Sequence, residues 1–423
     1  MNSKIKIWHF ILIIITLIVV VRFSYLIQLL NLIVILITSF VQSPGEVISS
    51  IKFELIDNLA SLLLILFIPI IIISSFKVKK ILSQTLKISN AVIIILIACF
   101  LFAPVITNQH PDFQKNIGVT KLLPPLSSVS YIELNESPVN RENYPNELQF
   151  LIDRVIPKSY NNNLIYVDSI KVDSSFNYYQ SGIKYQLEKN KIIQSDGKPF
   201  QSSKIFLLGS DEFGRDVFTR IVYGSRISIL VGLGAVFVSF ILGILFAFFA
   251  AERGGFVNLV LSRLTDLFLA FPSIFLIVLV MALFGSNILS IIIVLGFSSW
   301  MSLFKLVKSE IISIKTKEYY LSAGLIGLNN FKLLIREILP VIVVPVMVNL
   351  IFQLSNAMLA ESALSYLGLG TGTAYPSWGS MIESGQEYIN QSWWLIFIPG
   401  LVLILSLLSI NDIGSKISKN VNQ

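Results

Sequence analysis

Asp211, Arg215 and Asp216 fall close together in LLGSDEFGRDVFTRIVYGSRISILVG, residues 207–232. Two carboxylates beside one guanidinium suit either an acid and base pair or a structural ion-pair cluster. A hydrolase built on them would also need a nucleophile, a histidine partner or a metal set. The two histidines, His9 and His110, stand far apart without companion ligands, and the single cysteine, Cys99, lies in the apolar run AVIIILIACFLF. No catalytic residue, metal site or intrachain disulfide is therefore expected, and Asp211 and Asp216 read as a cap beside a helix. Gly214 permits a turn between them that a side chain would block.

A third carboxylate, Glu361, opens the stretch AESALSYLGLGTGTAYPSWGSM, residues 360–381. At helical spacing Gln353, Asn356, Ala360 and Glu361 share a face, which should look into protein or water rather than lipid. That face is a candidate pathway wall or a polar contact between helices. Gly368 and Gly370 should end the helix, and Trp378 is suited to an outer membrane interface.

Chemistry of the docking kind is suggested by IKTKEYYLSAGLIGLNNFKLLIREILP, residues 314–340. Charge and glycine keep it out of hydrocarbon. Glu318 to Leu325 has helical spacing with an acid in its first turn, Gly324 and Gly327 interrupt, and Phe331 to Leu339 resumes before Pro340. Leu325, Leu328, Phe331 and Leu334 recur at intervals of three, a face suited either to a groove on a partner or to the membrane surface.

The elements that must position these groups are membrane helices. The chain has 423 residues, 54% hydrophobic and 13% charged, with a net charge of +7 and a mean hydropathy of +0.76. Such composition excludes an ordinary soluble domain. Its cations cluster beside apolar runs rather than among exposed aromatics, which argues against nucleic acid. Because backbone polar groups in lipid must be satisfied internally, all-α spans are expected. They are placed at about 7–29, 57–76, 88–107, 227–250, 264–284, 288–307, 341–362 and 393–411, roughly eight in all. The first is ambiguous: apolar character runs from Ile7 to Val41 around Arg22, fitting one tilted helix or a span plus an interfacial helix. No small-residue cleavage site follows it, so no cleaved signal peptide is expected.

Positive charge sets the orientation. Lys77, Lys79, Lys80 and Lys87 occupy one loop without an acid, and Lys305, Lys308, Lys315, Lys317, Lys332 and Arg336 surround the 314–340 stretch. Both regions should be cytoplasmic, while 42–57 and 371–392, which lean acidic, should be outside. Eight spans with both termini cytoplasmic satisfy this, provided that Ile7 to Val41 crosses once. The expected organisation is an N-terminal section with extra helices (1–87), a first core helix (88–107), an extracytoplasmic insertion (108–207), a membrane core (208–411) whose cytoplasmic loop is 309–340, and a tail (412–423). The insertion is polar, with β-prone patches such as NNLIYVDSIKVD, and is either a small β-rich domain or a partly ordered loop.

The three stretches together resemble the permease subunits of ABC importers, in the dipeptide, oligopeptide and nickel branch. Gly209, Asp211, Gly214, Arg215 and Asp216 match its G-T-D-x-x-G-R-D signature, with Ser210 replacing Thr. Glu361, Ser362, Leu364 to Gly370 and Pro376 to Gly379 match its E-S-x-L-S-F-L-G-L-G and P-x-W-G motifs, with Tyr366 in the Phe position. Ser322, Ala323, Gly327, Ile338, Leu339 and Pro340 match its cytoplasmic coupling loop, departing at Ser322 and Gly324. The motifs fall in the family's order over 205–411; the first two spans and most of the insertion lie outside the resemblance. What it implies is a type I importer permease core forming half of a gate. Glu318, Ser322, Ala323, Gly327, Leu328, Ile338, Leu339 and Pro340 would couple to the ATPase, and Gln353, Asn356 and Glu361 would border the path. It also implies a second related permease, two ATPase subunits and an extracytoplasmic binding protein. No G-x-x-x-x-G-K-[ST] loop is present, so ATP should be bound by the partner subunits and no cofactor by this chain.

The rival from another class is an ion- or proton-coupled secondary transporter, for which Asp266 and Glu361 would be the coupling carboxylates; no inverted repeat across the spans supports it. Its mark would be transport that survives ATP depletion and collapses with the proton gradient. The orientation is tested by labelling single cysteines from outside in a Cys99→Ser background. A cysteine at Ser174 should react and one at Ser83 should not; the reverse result refutes the topology.

Overall fold

The computed structural model describes residues 5–134, 147–157, 163–172, 176–187, 194–195, 198–199, 201–285, 287–325, 330–370 and 376–421. Its residues pack as two compact units: Met1–Lys87, Ile94–Ser225 and Ser384–Pro399 form one, and Ile88–Ile93, Arg226–Glu383 and Gly400–Gln423 the other. Seven helices among the described residues are long and apolar enough to cross a membrane.

In chain order the first unit opens with α1 (Ile7–Val21) and α2 (Phe23–Gln42). Of the two readings left open for Ile7 to Val41, one tilted helix or a span plus a second helix, the structure has two helices, divided at Arg22, whose backbone leaves the helical region at φ −110°, ψ 19°. The reason lies across the unit. The Arg22 guanidinium donates from Nε to the Val105 carbonyl at 2.8 Å, from a terminal nitrogen to the Thr107 carbonyl at 3.0 Å, and to Asn108 Oδ1. These are groups at the end of a later helix, whose last carbonyls have no partner of their own. α1 is too short to be a full span, while α2 has span length.

After α3 (Pro44–Ser50), α4 (Phe53–Ser74) and α5 (Phe76–Ile81) comes α6 (Ile88–Ile106). Ile15, Ile18, Leu26, Leu29, Leu62, Ile65, Phe102 and Val105 bury a common core. Within it the Tyr25 hydroxyl donates to Asn58 Oδ1 at 2.7 Å, and Ser61 Oγ to the Leu101 carbonyl at 2.7 Å.

The stretch expected as a β-rich insertion or a partly ordered loop does contain sheets. α7 (Ile117–Thr120) precedes β1 (Ser127–Glu133), and α8 (Glu147–Val155) precedes β2 (Leu164–Val167), β3 (Ser169–Val172), β4 (Phe176–Gln180) and β5 (Ile183–Leu187). A short ribbon of β6 (Gln194–Ser195) and β7 (Lys198–Pro199) leads to β8 (Gln201–Phe206). The sheets are β2-β1-β8 and β3-β4-β5, antiparallel throughout. Phe113, Val129, Tyr166 and Phe206 fill the core behind the first.

Then α9 (Val217–Arg253) runs well beyond the expected 227–250. The expected span 264–284 is two helices, α10 (Gly255–Ala270) and α11 (Ser273–Phe284), broken where Pro272 lacks an N–H and keeps Phe271 extended. α12 (Ile288–Lys315) is followed by α13 (Glu318–Leu325), α14 (Asn330–Leu333) and a π turn (Leu334–Ile338) that feeds α15 (Leu339–Tyr366). α16 (Trp378–Gly385) and α17 (Trp394–Val421) complete the chain, the latter continuing past the expected end at 411.

In the second unit the helices close in at glycines. A Cβ on Gly296 of α12 would lie 2.5 Å from Val238 Cβ and 2.8 Å from the Ala235 carbonyl of α9. Trp300, Leu303, Phe304, Val307, Ile338 and Ile342 bury the core below them.

Candidate functional site: the entrance cluster and the serine-lined carboxylate

The first candidate site is built on the turn before α9. Gly209 at φ +82° and Gly214 at φ +72° hold conformations that favour glycine. Space reinforces the choice, because a Cβ on Gly214 would lie 2.1 Å from Thr120 Oγ1 and one on Gly209 2.5 Å from the Leu123 carbonyl. Ser210 takes up neighbouring backbone groups: its hydroxyl accepts from Leu123 N at 2.8 Å and donates to the Thr120 carbonyl.

Inside the turn sits Asp211, 5% exposed. Its Oδ1 accepts from the backbone N–H of Phe213 at 2.9 Å and of Arg215 at 2.8 Å; its Oδ2 lies 2.7 Å from Arg215 Nε and 3.5 Å from Arg220 Nε. Arg220, one turn into α9, also reaches Asp112 at 3.3 Å and the Pro111 carbonyl at 3.4 Å. Burial, with Asp211 beside it, pushes the Glu212 carboxyl above its usual range although Arg215 is 3.4 Å away. Asp216 does something different. It precedes the first residue of α9 and accepts from Phe218 N at 3.3 Å and Thr219 Oγ1 at 2.8 Å, an N-terminal cap. The five expected residues therefore do assemble, as a locked turn. Arg220 and Asp112 complete it; with more than a hundred residues separating them, no local spacing could have paired them.

The second candidate site surrounds Glu361, which has no exposed surface. Oε1 accepts from Ser365 Oγ at 2.8 Å and Oε2 from Ser228 Oγ of α9 at 3.4 Å; Ser228 Oγ in turn accepts from Trp378 N at 3.3 Å. Trp378, expected at an outer interface, is itself fully buried. The glycines of this motif make the enclosure possible. Gly368, at φ +75°, ends α15 with Leu369 N donating to the Leu364 carbonyl. A Cβ on Gly379 would lie 2.6 Å from Ser362 Cα.

Two turns earlier Gln353 is a four-bonded junction. Its Nε2 donates to the Ser299 carbonyl at 3.3 Å, Ser302 Oγ at 3.2 Å and Asn349 Oδ1 at 2.8 Å, while Oε1 accepts from Ser239 Oγ at 2.8 Å. Gln353 thus joins α9, α12 and α15. Asn356 does not belong with them: it is exposed, so the expected common face divides into a buried side carrying Gln353 and Glu361 and an open side carrying Asn356. Asp266 lies half exposed, paired with Lys305 at 2.8 Å.

Along the 314–340 stretch, Glu318 opens α13 and the Ser322 hydroxyl donates back to its carbonyl at 2.8 Å. Ala323 is buried. α13 covers the expected Glu318 to Leu325, with Gly324 carried inside it rather than interrupting it, and Pro340 does not close the second helix but sits in the first turn of α15. Upstream of it the bonds run from i to i+5, as in Leu339 N to the Leu334 carbonyl. Ile338 is fully buried, while Leu339 and Pro340 are exposed. Leu325 is 90% exposed whereas Leu334 packs on the core, so these two do not share a face. Gly327 and Leu328 lie outside the described residues.

Removing the buried Asp211 carboxylate leaves Arg215 with Glu212 at 3.4 Å and Arg220 with Asp112 at 3.3 Å, and leaves two backbone N–H groups without their acceptor, a loss of about 3 kcal/mol. Asp211→Ala should lower the thermal unfolding midpoint in detergent markedly, and Asp211→Asn, which keeps the acceptor for two N–H groups, should lower it less. An unchanged midpoint in Asp211→Ala would show that the cluster does not hold the turn.

Comparison with known proteins agrees with the motifs. The chain is 34% identical over 209 residues to the di/tripeptide transport system permease protein DppC of Pseudomonas aeruginosa, covering 49% of this chain and 69% of that protein. It is 32% identical to the dipeptide transport system permease protein DppC of Bacillus subtilis, over 49% of this chain and 65% of that one. It is 28% identical to the oligopeptide transport system permease protein OppC of the same organism, over 55% and 75%. Among solved structures it is similar to a chain of the MetNI methionine ABC transporter in an inward-facing conformation, with a TM-score of 0.41 and 14% identity over 49% of this chain and 98% of that one. Residues 239–419 match the family described as binding-protein-dependent transport system inner membrane component, and the chain belongs to that family of ABC importer permeases.

Proposed function

We propose that this permease subunit forms half of the translocation gate of an ATP-driven importer for peptides or related small solutes. It would act with a second related permease, two ATPase subunits that bind the ATP, and an extracytoplasmic binding protein. The peptide assignment rests on what the relatives transport by name. Both termini and the 309–340 loop are cytoplasmic in this reading, and 108–207 is extracytoplasmic.

The observation that carries the mechanical part is α13. It stands between two span-length helices with Ala323 turned inward and Tyr319, Leu321 and Leu325 exposed, at 45%, 55% and 90%. Leu321 and Leu325, four positions apart, form one apolar side, and such a side on so short a helix suits a groove on another protein. Lys315 Nζ ties the end of α12 to the Ala251 carbonyl and to Glu252, both at 2.9 Å. A push on α13 is thereby passed to α9 and α12, and through Gln353 to α15. Glu318, Ser322 and Ala323 would shape the docking helix, and Gly327 and Leu328 would belong to the same coupling segment. Ile338 would anchor the return, and Leu339 and Pro340 would begin α15. ATP-driven closure would rock these helices between outward and inward access.

In this reading Asn356 borders the path directly, while Gln353 and Glu361 hold the helices that line it. A proton-coupled mechanism is less suited to Asp266, which is already neutralised by Lys305.

In a Cys99→Ser background, Leu325→Cys should cross-link to the ATPase subunit. Leu325→Asp should lower uptake and free ATP hydrolysis from its dependence on loaded binding protein. No cross-link, together with coupled hydrolysis and normal uptake in Leu325→Asp, defeats the docking role. For the carboxylate, Glu361→Gln should impair uptake while the complex still assembles; unimpaired uptake removes Glu361 from the gate.

A further inference from the structure

The first unit contains a cavity of about 760 Å³ that the entrance turn borders through Asp216. Its walls come from the end of α1, the end of α6, the sheet β2-β1-β8 and the first turn of α9. Much of the lining is apolar, including Leu17, Val21, Ile106 and Phe218, and one side is open: Leu17 and Val21 are 63% and 69% exposed. Among the described residues the charged side chains on its lining are Arg22, Lys204 and Asp216, two cations against one carboxylate.

The two cations are held by adjacent residues. Arg22 bonds Asn108 Oδ1, and the Lys204 ammonium bonds Gln109 Oε1. Gln109 is itself fixed by the Tyr166 hydroxyl at 3.2 Å. Arg22 bonds neutral oxygens, two of them carbonyls at the end of α6, and lies 4.8 Å over the Tyr25 ring; among the described residues no carboxylate pairs with it. Asp216 already caps α9 and stands 4.0 Å from Lys204. Burial lowers the Lys204 pKa, against which Asp216 acts only in part. An anion beside it would offset that desolvation.

We propose that this cavity binds an anionic membrane lipid, its head group against Arg22 and Lys204 and its chain along Leu17 and Val21. The apolar side belongs to a helix of the membrane section, and Arg22 sits level with the end of a spanning helix, where head groups lie. A guanidinium and an ammonium side by side suit a phosphodiester, which accepts charge-assisted hydrogen bonds from both. A soluble anion would satisfy Arg22 and Lys204 equally but would leave the apolar wall wet.

The test uses the full chain reconstituted from mixed phosphatidylglycerol and phosphatidylcholine vesicles, then extracted and examined by native mass spectrometry. Wild type should retain phosphatidylglycerol in preference to phosphatidylcholine. Lys204→Gln should reduce that retention about fivefold, the effect of one interfacial cation, and Lys204→Arg should restore it. Val21→Trp should block retention by bulk alone; since Val21 is exposed, this variant decides the matter if Lys204→Gln fails to fold. Glycerol 3-phosphate in excess should not displace the lipid. Equal retention of both lipids, displacement by glycerol 3-phosphate, or undiminished retention in folded Val21→Trp overturns the proposal.

Discussion

A polar atom inside hydrocarbon has no water to turn to, so its partner must come from the same chain or from a neighbouring one. Much of the architecture follows from that constraint. Gln353 has each of its amide atoms bonded to serine, asparagine or backbone groups of three helices. Glu361 is enclosed by hydroxyls rather than by cations. Serine serves here because it is small enough to let helices approach and polar enough to supply the missing bond. Glycines at the closest crossings have the same effect on distance without supplying a bond. Together they explain how α9, α12 and α15 can carry polar groups and still pack as membrane helices.

The two ends of α9 are secured by different means, which fits what each adjoins. At the beginning a buried carboxylate gathers two backbone N–H groups and two guanidinium groups into a turn that excludes solvent. At the other end the tie is a single lysine, Lys315, bridging a carbonyl and Glu252 in a partly exposed place. Breaking the first leaves two buried guanidinium groups with only their longer contacts; breaking the second frees a partly exposed lysine, with one Glu252 oxygen still buried. The entrance turn is thus the costlier of the two to deform.

Hydropathy and charge made the membrane class legible, because apolar runs of span length have few other readings. Two of the motif glycines were equally plain: Gly214 and Gly368 take the turn and the helix end that their positions suggested. What the sequence concealed were features decided by distant partners. Nothing near Arg22 says that carbonyls at 105 and 107 will draw its guanidinium out of a helix. The periodicity around Asn356 did not reveal that its neighbours turn inward while it stays outside. The loop was misread for a related reason, since glycine and proline are breakers only on average. Gly324 is carried within α13, and Pro340 falls where its missing N–H costs little.

The π turn at Leu334–Ile338 bears on how the chain tolerates changes in length. Leu333 and Ile338 are both buried although five positions separate them, whereas Ile342 and Val346 follow at intervals of four. In a regular α-helix an interval of five would carry Leu333 about 140° from Ile338; the wider turn absorbs the surplus residue and returns both to one side. A deletion inside 334–338 would reduce that interval to four and leave the two flanks in phase as plain α-helix. The same deletion two turns later would rotate everything beyond it by about 100° and bring Gln353 out of its pocket. Register is therefore negotiable at one short segment of this membrane helix and fixed along the rest.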